Sequence, residues 1–266
     1  MMRANSDFEL RQEEGWRRGL GNLMDAGFSA WWSTGRWWSQ ALMWTLIINF
    51  VLAGLLWGAE AFDPQEAPAL FALFGGLFPP IAVTIMMQDA VVGEKLSGTA
   101  AWVLSKPVSR TAFILSKLIP NAVGVVLTMT VLPGAVAYAQ FTAAGAPPAP
   151  LNYLLGLGVL AVNLLYFLAL TVMLGVLANN RAVVIGVPLA LAFGQQYLLG
   201  MLPPLRYILP WTLVLPPPGS EGLGGAVAAS IMARQPLPSL IPLYAALLSI
   251  LVFSGVAIWR FQHEEF

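Results

Sequence analysis

Apolar positions gather into six runs, at about 38–58, 69–87, 111–140, 151–177, 183–202 and 240–259. At about 1.5 Å per helical residue, each is long enough to cross a hydrocarbon core of about 30 Å. The pattern predicts an all-α, polytopic membrane protein with six transmembrane helices. The third run exceeds the core thickness, so it must tilt, bend or protrude, and it carries Pro120 and Pro133. The second holds Gly75-Gly76 and Pro79-Pro80, which either loosen the helix for movement or let a neighbour pack closely against it. No repeat of useful length is visible, and in particular no inverted repeat of the kind that builds many secondary transporters.

Polar positions interrupt this pattern in a few places. Residues 1–37 start as a polar tail and become amphipathic. Leu20, Met24, Phe28, Trp31 or Trp32, and Trp38 recur about every four residues, with Asn22, Asp25, Ser29 and Ser33 off the stripe. Trp31, Trp32, Trp37 and Trp38 at one depth suit the headgroup region, so an interfacial helix is expected. The alternative is a flexible tail followed by an ordinary aromatic anchor. Residues 88–110 form a polar loop, in which Val92, Leu96, Thr99 and Val103 predict one short amphipathic helix with Glu94, Lys95, Ser97 and Gly98 off its apolar face. Lys106-Pro107 should end that helix, and Ser109 should cap the next. A tight polar turn is expected at 178–181. Between the fifth and sixth runs, Tyr207–Leu215, Pro216–Pro218 and a small-residue run at 222–232 predict short re-entrant or interfacial helices, since none is long enough to span. The transmembrane domain accordingly covers 38–266.

Composition agrees with a bilayer environment: 58% of residues are hydrophobic, 10% are charged and mean hydropathy is +0.73. The formal net charge of zero conceals an asymmetry. Arg3, Arg11, Arg17, Arg18, Arg36, Lys95, Lys106, Arg110, Lys117, Arg181 and Arg260 fall on one side, and only Arg206 and Arg234 on the other. By the positive-inside rule both termini and the 88–110 loop face the cytoplasm of a cell membrane, and the polar, acidic N-terminus does not suit a cleaved signal peptide. The chain has no cysteine, hence no disulfide.

What is missing narrows function further. No span carries a charged residue near its middle, which disfavours a proton- or sodium-driven carrier. There is no G-x-x-x-x-G-K-[ST] phosphate loop, so ATP energy would have to come from another subunit. The single histidine, His263, excludes an H-E-x-x-H zinc site and leaves no histidine base for a serine hydrolase. Asp25, Asp63 and Asp89 lie in loops or interfaces, away from any intramembrane aspartyl pair. Catalysis by this chain is therefore not expected. The polar groups left inside the spans include Gln195, Gln196, Asn163 and Thr128, together with Asn49, Thr84, Thr130 and Tyr166. They either line a translocation path or make inter-helix hydrogen bonds, worth about 0.6 kcal/mol each on average.

The order Glu94, Gly98-Thr99, Leu104-Ser105, Pro107-Val108-Ser109-Arg110, Leu115 and Lys117, placed between the second and third spans, resembles the first cytoplasmic loop of type-2 ABC exporter permeases. That family shows a glutamate, a Gly-Thr pair, a hydrophobic stretch and L-x-x-P-[VIL]-[ST]-R. Lys106 before the proline departs from its usual less polar residues. The match covers about thirty residues, and the remainder agrees in hydropathy and span count. The resemblance implies a homodimer or pseudodimer of six-helix subunits with an N-terminal elbow helix and external helices between spans five and six. It also implies two cytoplasmic ABC ATPase subunits that contact the loop. ATP and Mg would sit on those ATPases, with no cofactor in this chain. Membrane lipids are expected partners and nucleic acid is not.

The expected coupling residues are Asp89, Glu94, Lys95, Gly98, Thr99, Ser105, Pro107, Ser109 and Arg110. In that picture Glu94 and Lys95 fix register by charge, Gly98 allows close approach, and Pro107 to Arg110 pass motion into the third span. The rival readings are a non-transporting membrane anchor or assembly subunit and an uncoupled channel or carrier. For substrate, an interior poor in charge favours lipid-like, peptide or amphiphilic cargo only weakly.

Overall fold

A computed structural model describes residues 15–216, 225–237 and 239–264, and all regular structure among them is helical. The N-terminal helix α1 (Leu20–Trp32) precedes the first long helix, α2 (Arg36–Gly58). Next come α3 (Ala67–Met87) and the short α4 (Val92–Leu96) and α5 (Thr99–Leu104). The third long helix has two parts, α6 (Arg110–Val126) and α7 (Leu132–Ala143), joined by a π turn at Leu127–Val131. Then follow α8 (Pro150–Leu177), α9 (Arg181–Met201), the short α10 (Trp211–Val214) and α11 (Val227–Met232), and finally α12 (Ile241–Gln262). Six helices among the described residues are long and apolar enough to cross a membrane. Part of the small-residue run at 222–232 and the first fourteen residues of the expected tail lie outside the described residues.

Helix α8 is the axis of the bundle. Its central window is 72% buried, against 28% for α2 and α9 and 17% for α12. It packs against α3, α6, α9, α11 and α12. Near its start, Tyr153 meets Phe71 of α3 and Tyr138 and Phe141 of α7 in an aromatic cluster with centroids 5.2 to 6.0 Å apart. The outer helices show apolar side chains outward instead, for example Phe50, Met201 and Leu251, as expected of surfaces that meet lipid or another membrane chain.

A proline explains one of the polar residues within the spans. Pro80 has no N–H, so the carbonyl of Gly76, four residues earlier, lacks its helical donor. The Asn163 amide of α8 donates to that carbonyl at 2.8 Å. A second link between spans adds to ordinary helical bonds: Asn49 of α2 donates to the Pro133 carbonyl at 3.1 Å, while Gln140 donates back to the Asn49 carbonyl at 3.2 Å. In a medium without water the Asn163 bond satisfies a carbonyl that would otherwise be buried unpaired.

The structure supports the close-packing reading at Gly76. A Cβ on Gly76 would stand 2.3 Å from Val214 of α10, and one on Gly75 would meet Leu160 of α8 at 3.5 Å. Close packing requires glycine at Gly76, whereas at Gly75 a Cβ would make an ordinary van der Waals contact. Gly156 performs a similar service for Met232 of α11, so both short helices between α9 and α12 pack inward on α3 and α8.

One expectation needs correction at the N-terminus. The four tryptophans do not share one environment. Trp31 is only 1% exposed and packs on Gly124 of α6, whereas Trp32, Trp37 and Trp38 are exposed. The face of α1 that docks most closely runs through Gly27, against Pro120, and Trp31, whose indole N–H donates to Asn121 at 3.0 Å. Leu20, Met24 and Phe28 are half-buried. The reason is steric: glycines at 27 and 124 let the two helix backbones approach on that side.

Candidate functional site

The 88–110 loop gathers at one end of the bundle with the ends of α3, α8 and α12 and the starts of α6 and α9. A single amphipathic helix from Val92 to Val103 was expected; the structure has two, α4 and α5, broken at Ser97-Gly98. Gly98 takes φ +75°, a left-handed conformation that side-chain-bearing residues rarely adopt. The break redistributes the predicted apolar face. Val92 and Ala100 are buried, but Leu96 turns outward at 58% exposure and Thr99 is exposed as well.

Beneath the loop lies a set of charge pairs and helix caps. The last carbonyls of a helix lack intrahelical donors and attract cations. Lys95 serves α8 in this way, donating to the Val176 carbonyl at 2.9 Å, and it also pairs with Glu264 at 2.7 Å. Arg110 donates to the Gln262 carbonyl at 2.8 Å and to those of Phe261 and Glu264 around the end of α12. Arg260 approaches the second Glu264 oxygen to 3.2 Å. Glu94 of α4 is paired with Lys117 of α6. Asp89 pairs with Arg181 at 2.6 Å, joining the loop to the start of α9 across a solvent-exposed contact.

Two further contacts fix the same end. Phe113 and Phe261 stack at 4.9 Å with planes 5° apart, and Gln262 donates to the Thr111 hydroxyl at 2.9 Å. A Cβ on Gly175 of α8 would stand 3.3 Å from Val91, so the loop backbone lies close on that helix.

Ser109 caps α6 as expected, accepting from the Ala112 N–H at 3.0 Å. Its hydroxyl also donates to the Trp16 carbonyl, and its N–H to that of Arg18 at 2.9 Å, which ties the segment before α1 to the loop. Pro107, Lys106 and Ser105 are exposed.

Glu94, Lys95 and Arg110 thus have partners within the subunit. The side chains offered outward are Leu96, Thr99 and Trp102, the last 63% exposed with the Lys106 ammonium 4.4 Å from its ring centroid. Sequence reasoning missed Trp102, Leu96 as an exposed residue, and Glu264 as the acid that binds two cations. Trp102 could have been noticed, because it falls off the apolar stripe drawn through Val92 and Val103. Glu264 carried a local signal only for Arg260, four residues earlier, and none for Lys95, which lies far away in sequence.

The four polar residues suggested for a path are not brought together. Asn163 is held by the Gly76 carbonyl. Thr128 donates to the Gly124 carbonyl at 2.8 Å within its own helix, and Gln195 accepts from the Trp211 N–H at 2.9 Å, at the start of α10. All three are buried, and only Gln196 is exposed, on the outer side of α9. Among the described residues no cluster of His, Asp and Glu could hold a metal ion. The arrangement therefore offers mechanical connection, with exposed knobs over a tied frame.

Compared with protein-family models, residues 39–266 match the family described as ABC-2 family transporter protein. No curated protein matches the chain.

Proposed function

Because the chain belongs to the ABC-2 transporter family, as a membrane permease subunit of an ABC transporter whose partner is an ABC ATPase, we propose that the 88–110 loop receives the ATPase's motion and passes it to the bundle during export. The observation that carries this is the contrast within the loop. Its exposed surface is a compact knob of Leu96, Thr99, Trp102 and Lys106. Its inner surface is bound through Glu94, Lys95, Ser109 and Arg110 to α6, α8 and α12. A push on the knob would therefore move several spans together.

Glu94 and Lys95 take a different role here from the one first assigned to them: they tie the loop down, and Trp102 and Leu96 make the contact. A tryptophan beside aliphatic neighbours suits the desolvated centre of a protein interface. Two permease copies and two ATPases, with ATP and Mg on the latter, complete the assembly. The charge asymmetry supports placing the loop and both termini in the cytoplasm. A route formed between two copies could use Gln196 on the outward side of α9, while Asn163, Thr128 and Gln195 maintain helix structure.

The test is Trp102→Ala, alone and with Leu96→Ser, in purified permease mixed with its ATPase. Hot-spot truncations cost about 2 kcal/mol or more, so affinity should fall by about thirty-fold while permease stability stays within about 0.5 kcal/mol. Unchanged ATPase binding in the double variant would remove the loop from this role. Substrate-dependent ATPase activity of the unaltered complex would separate a transporter from a docked anchor.

A further inference from the structure

A cavity of about 390 Å³ opens between α1, the start of α2, the end of α3 and α6. Its polar walls are Arg36, Asp89, Ser116, Lys117 and Asn121. Most of these are committed elsewhere. Ser116 donates to the Phe113 carbonyl at 2.7 Å, and Asn121 accepts from Trp31 and donates to the Lys117 carbonyl at 2.7 Å. Asp89, the one carboxylate on the wall, is met by Arg181, and Lys117 by Glu94.

Arg36 is different. Its guanidinium lies 4.8 Å from the centroid of the Trp31 ring, and among the described residues no carboxylate pairs with it. A guanidinium held over an indole still has N–H groups to offer, a planar fork suited to two oxygens of one anion. The platform is fixed as well, because the indole is hydrogen-bonded to Asn121 and presses on Gly124, where a Cβ would come within 2.3 Å of the ring. The pairs Asp89–Arg181 and Glu94–Lys117 cancel in charge, so the cavity keeps one uncompensated positive charge. Lys117 retains further N–H donors beyond its bond to Glu94.

Two observations point to the kind of anion that this fork suits. The volume falls within the range of small-ligand sites, about 300 to 1,000 Å³. Exposed Trp32, Trp37 and Trp38 flank Arg36 in the chain, and such aromatics settle at headgroup depth. We propose that Arg36, stacked on Trp31 and assisted by Lys117, binds the phosphate of an anionic phospholipid headgroup between α1 and α6.

The test uses the full chain, stripped of lipid in detergent, with native mass spectrometry reading the bound ratio of dioleoyl phosphatidylglycerol to phosphatidylcholine at equal supply. The unaltered protein should favour phosphatidylglycerol, and Arg36→Gln should reduce that preference about five-fold, the factor typical of one basic residue at an anionic surface. Arg36→Lys should fall between them, since an ammonium cannot stack and fork together. Arg206→Gln, outside the cavity, should leave the ratio as it was. Ala30→Trp, which fills the cavity with Arg36 intact, should abolish the preference and decides the matter if Arg36→Gln does not fold. An unchanged ratio in Arg36→Gln or Ala30→Trp overturns the proposal. So does thermal protection by inorganic phosphate equal to that by phosphatidylglycerol, which would indicate a soluble anion. Loss of ATPase binding in Arg36→Gln with an unaltered lipid ratio would assign the anion to a protein carboxylate and overturn it too.

Discussion

The bond between Asn163 and the Gly76 carbonyl should be strongly coupled to Pro80, although Asn163 and Pro80 lie on different helices. The carbonyl needs an outside donor because residue 80 cannot supply one. In the unaltered background, Asn163→Leu removes the donor and leaves a buried acceptor unpaired, at 2.8 Å from where the amide nitrogen stood. Membrane double-mutant cycles average about 0.6 kcal/mol and reach about 1.7, and an orphaned buried acceptor costs about 1 to 3. A loss of about 1 to 2 kcal/mol follows. In a Pro80→Ala background the helix provides its own N–H to Gly76, and the same Asn163→Leu change should cost less by about 0.5 to 1.5 kcal/mol. Any straightening of α3 by the alanine alone appears in both arms of the cycle and cancels. Unfolding of the four variants in mixed micelles with increasing sodium dodecyl sulfate, followed by tryptophan fluorescence, measures each term. Equal costs of Asn163→Leu in both backgrounds, within about 0.3 kcal/mol, would refute the reasoning.

Gly76→Ala should destabilise the protein by about 1 to 3 kcal/mol in the same unfolding assay, because the new Cβ would stand 2.3 Å from a Val214 methyl and 2.4 Å from the Val214 Cβ, and Val214→Ala should not restore the loss, since alanine keeps that Cβ. For orientation, the cysteine-free chain permits single-cysteine labelling of intact cells: Gln65→Cys should react with an impermeant thiol reagent and Ser97→Cys should not. Labelling of Ser97→Cys from outside would reverse the positive-inside assignment.

Hydropathy located all six long helices, because a span must be continuous and apolar whatever its neighbours do. Local caps were equally readable: Ser109 precedes α6 and Asn180 precedes α9, each accepting a backbone N–H as its short polar side chain predicts. Patterns that depend on a partner helix were harder to see. Trp31 looked like any interfacial tryptophan until Gly124, more than ninety positions away, gave it a place to be buried. The Val92 to Val103 stripe was sound as a period but ignored Gly98, whose positive φ ends one helix and turns the next. The proposed path residues illustrate the same limit, since a polar side chain in an apolar run does not reveal whether a proline elsewhere has already claimed it. For the 88–110 loop, sequence marked the segment as the charged end of the bundle. It could not show that Glu94, Lys95 and Arg110 point back into their own subunit.

The π turn at Leu127–Val131 has a consequence for how the third span tolerates changes of length. An α-helix with one π turn carries one residue more than its two flanks need to keep their faces in phase. Deleting a residue within 127–131 would restore ordinary pitch and leave Gly124 on α1 and Phe141 in the aromatic cluster. The same deletion a turn earlier or later would roll everything beyond it by about 100°. This helix therefore contains one window in which its length is negotiable, and there the buried hydroxyl of Thr130 has no hydrogen-bond partner among the described residues. The surplus residue serves something other than crossing the bilayer: it breaks the ladder beside Thr128 and Thr130, in the middle of a helix whose two halves answer to different neighbours.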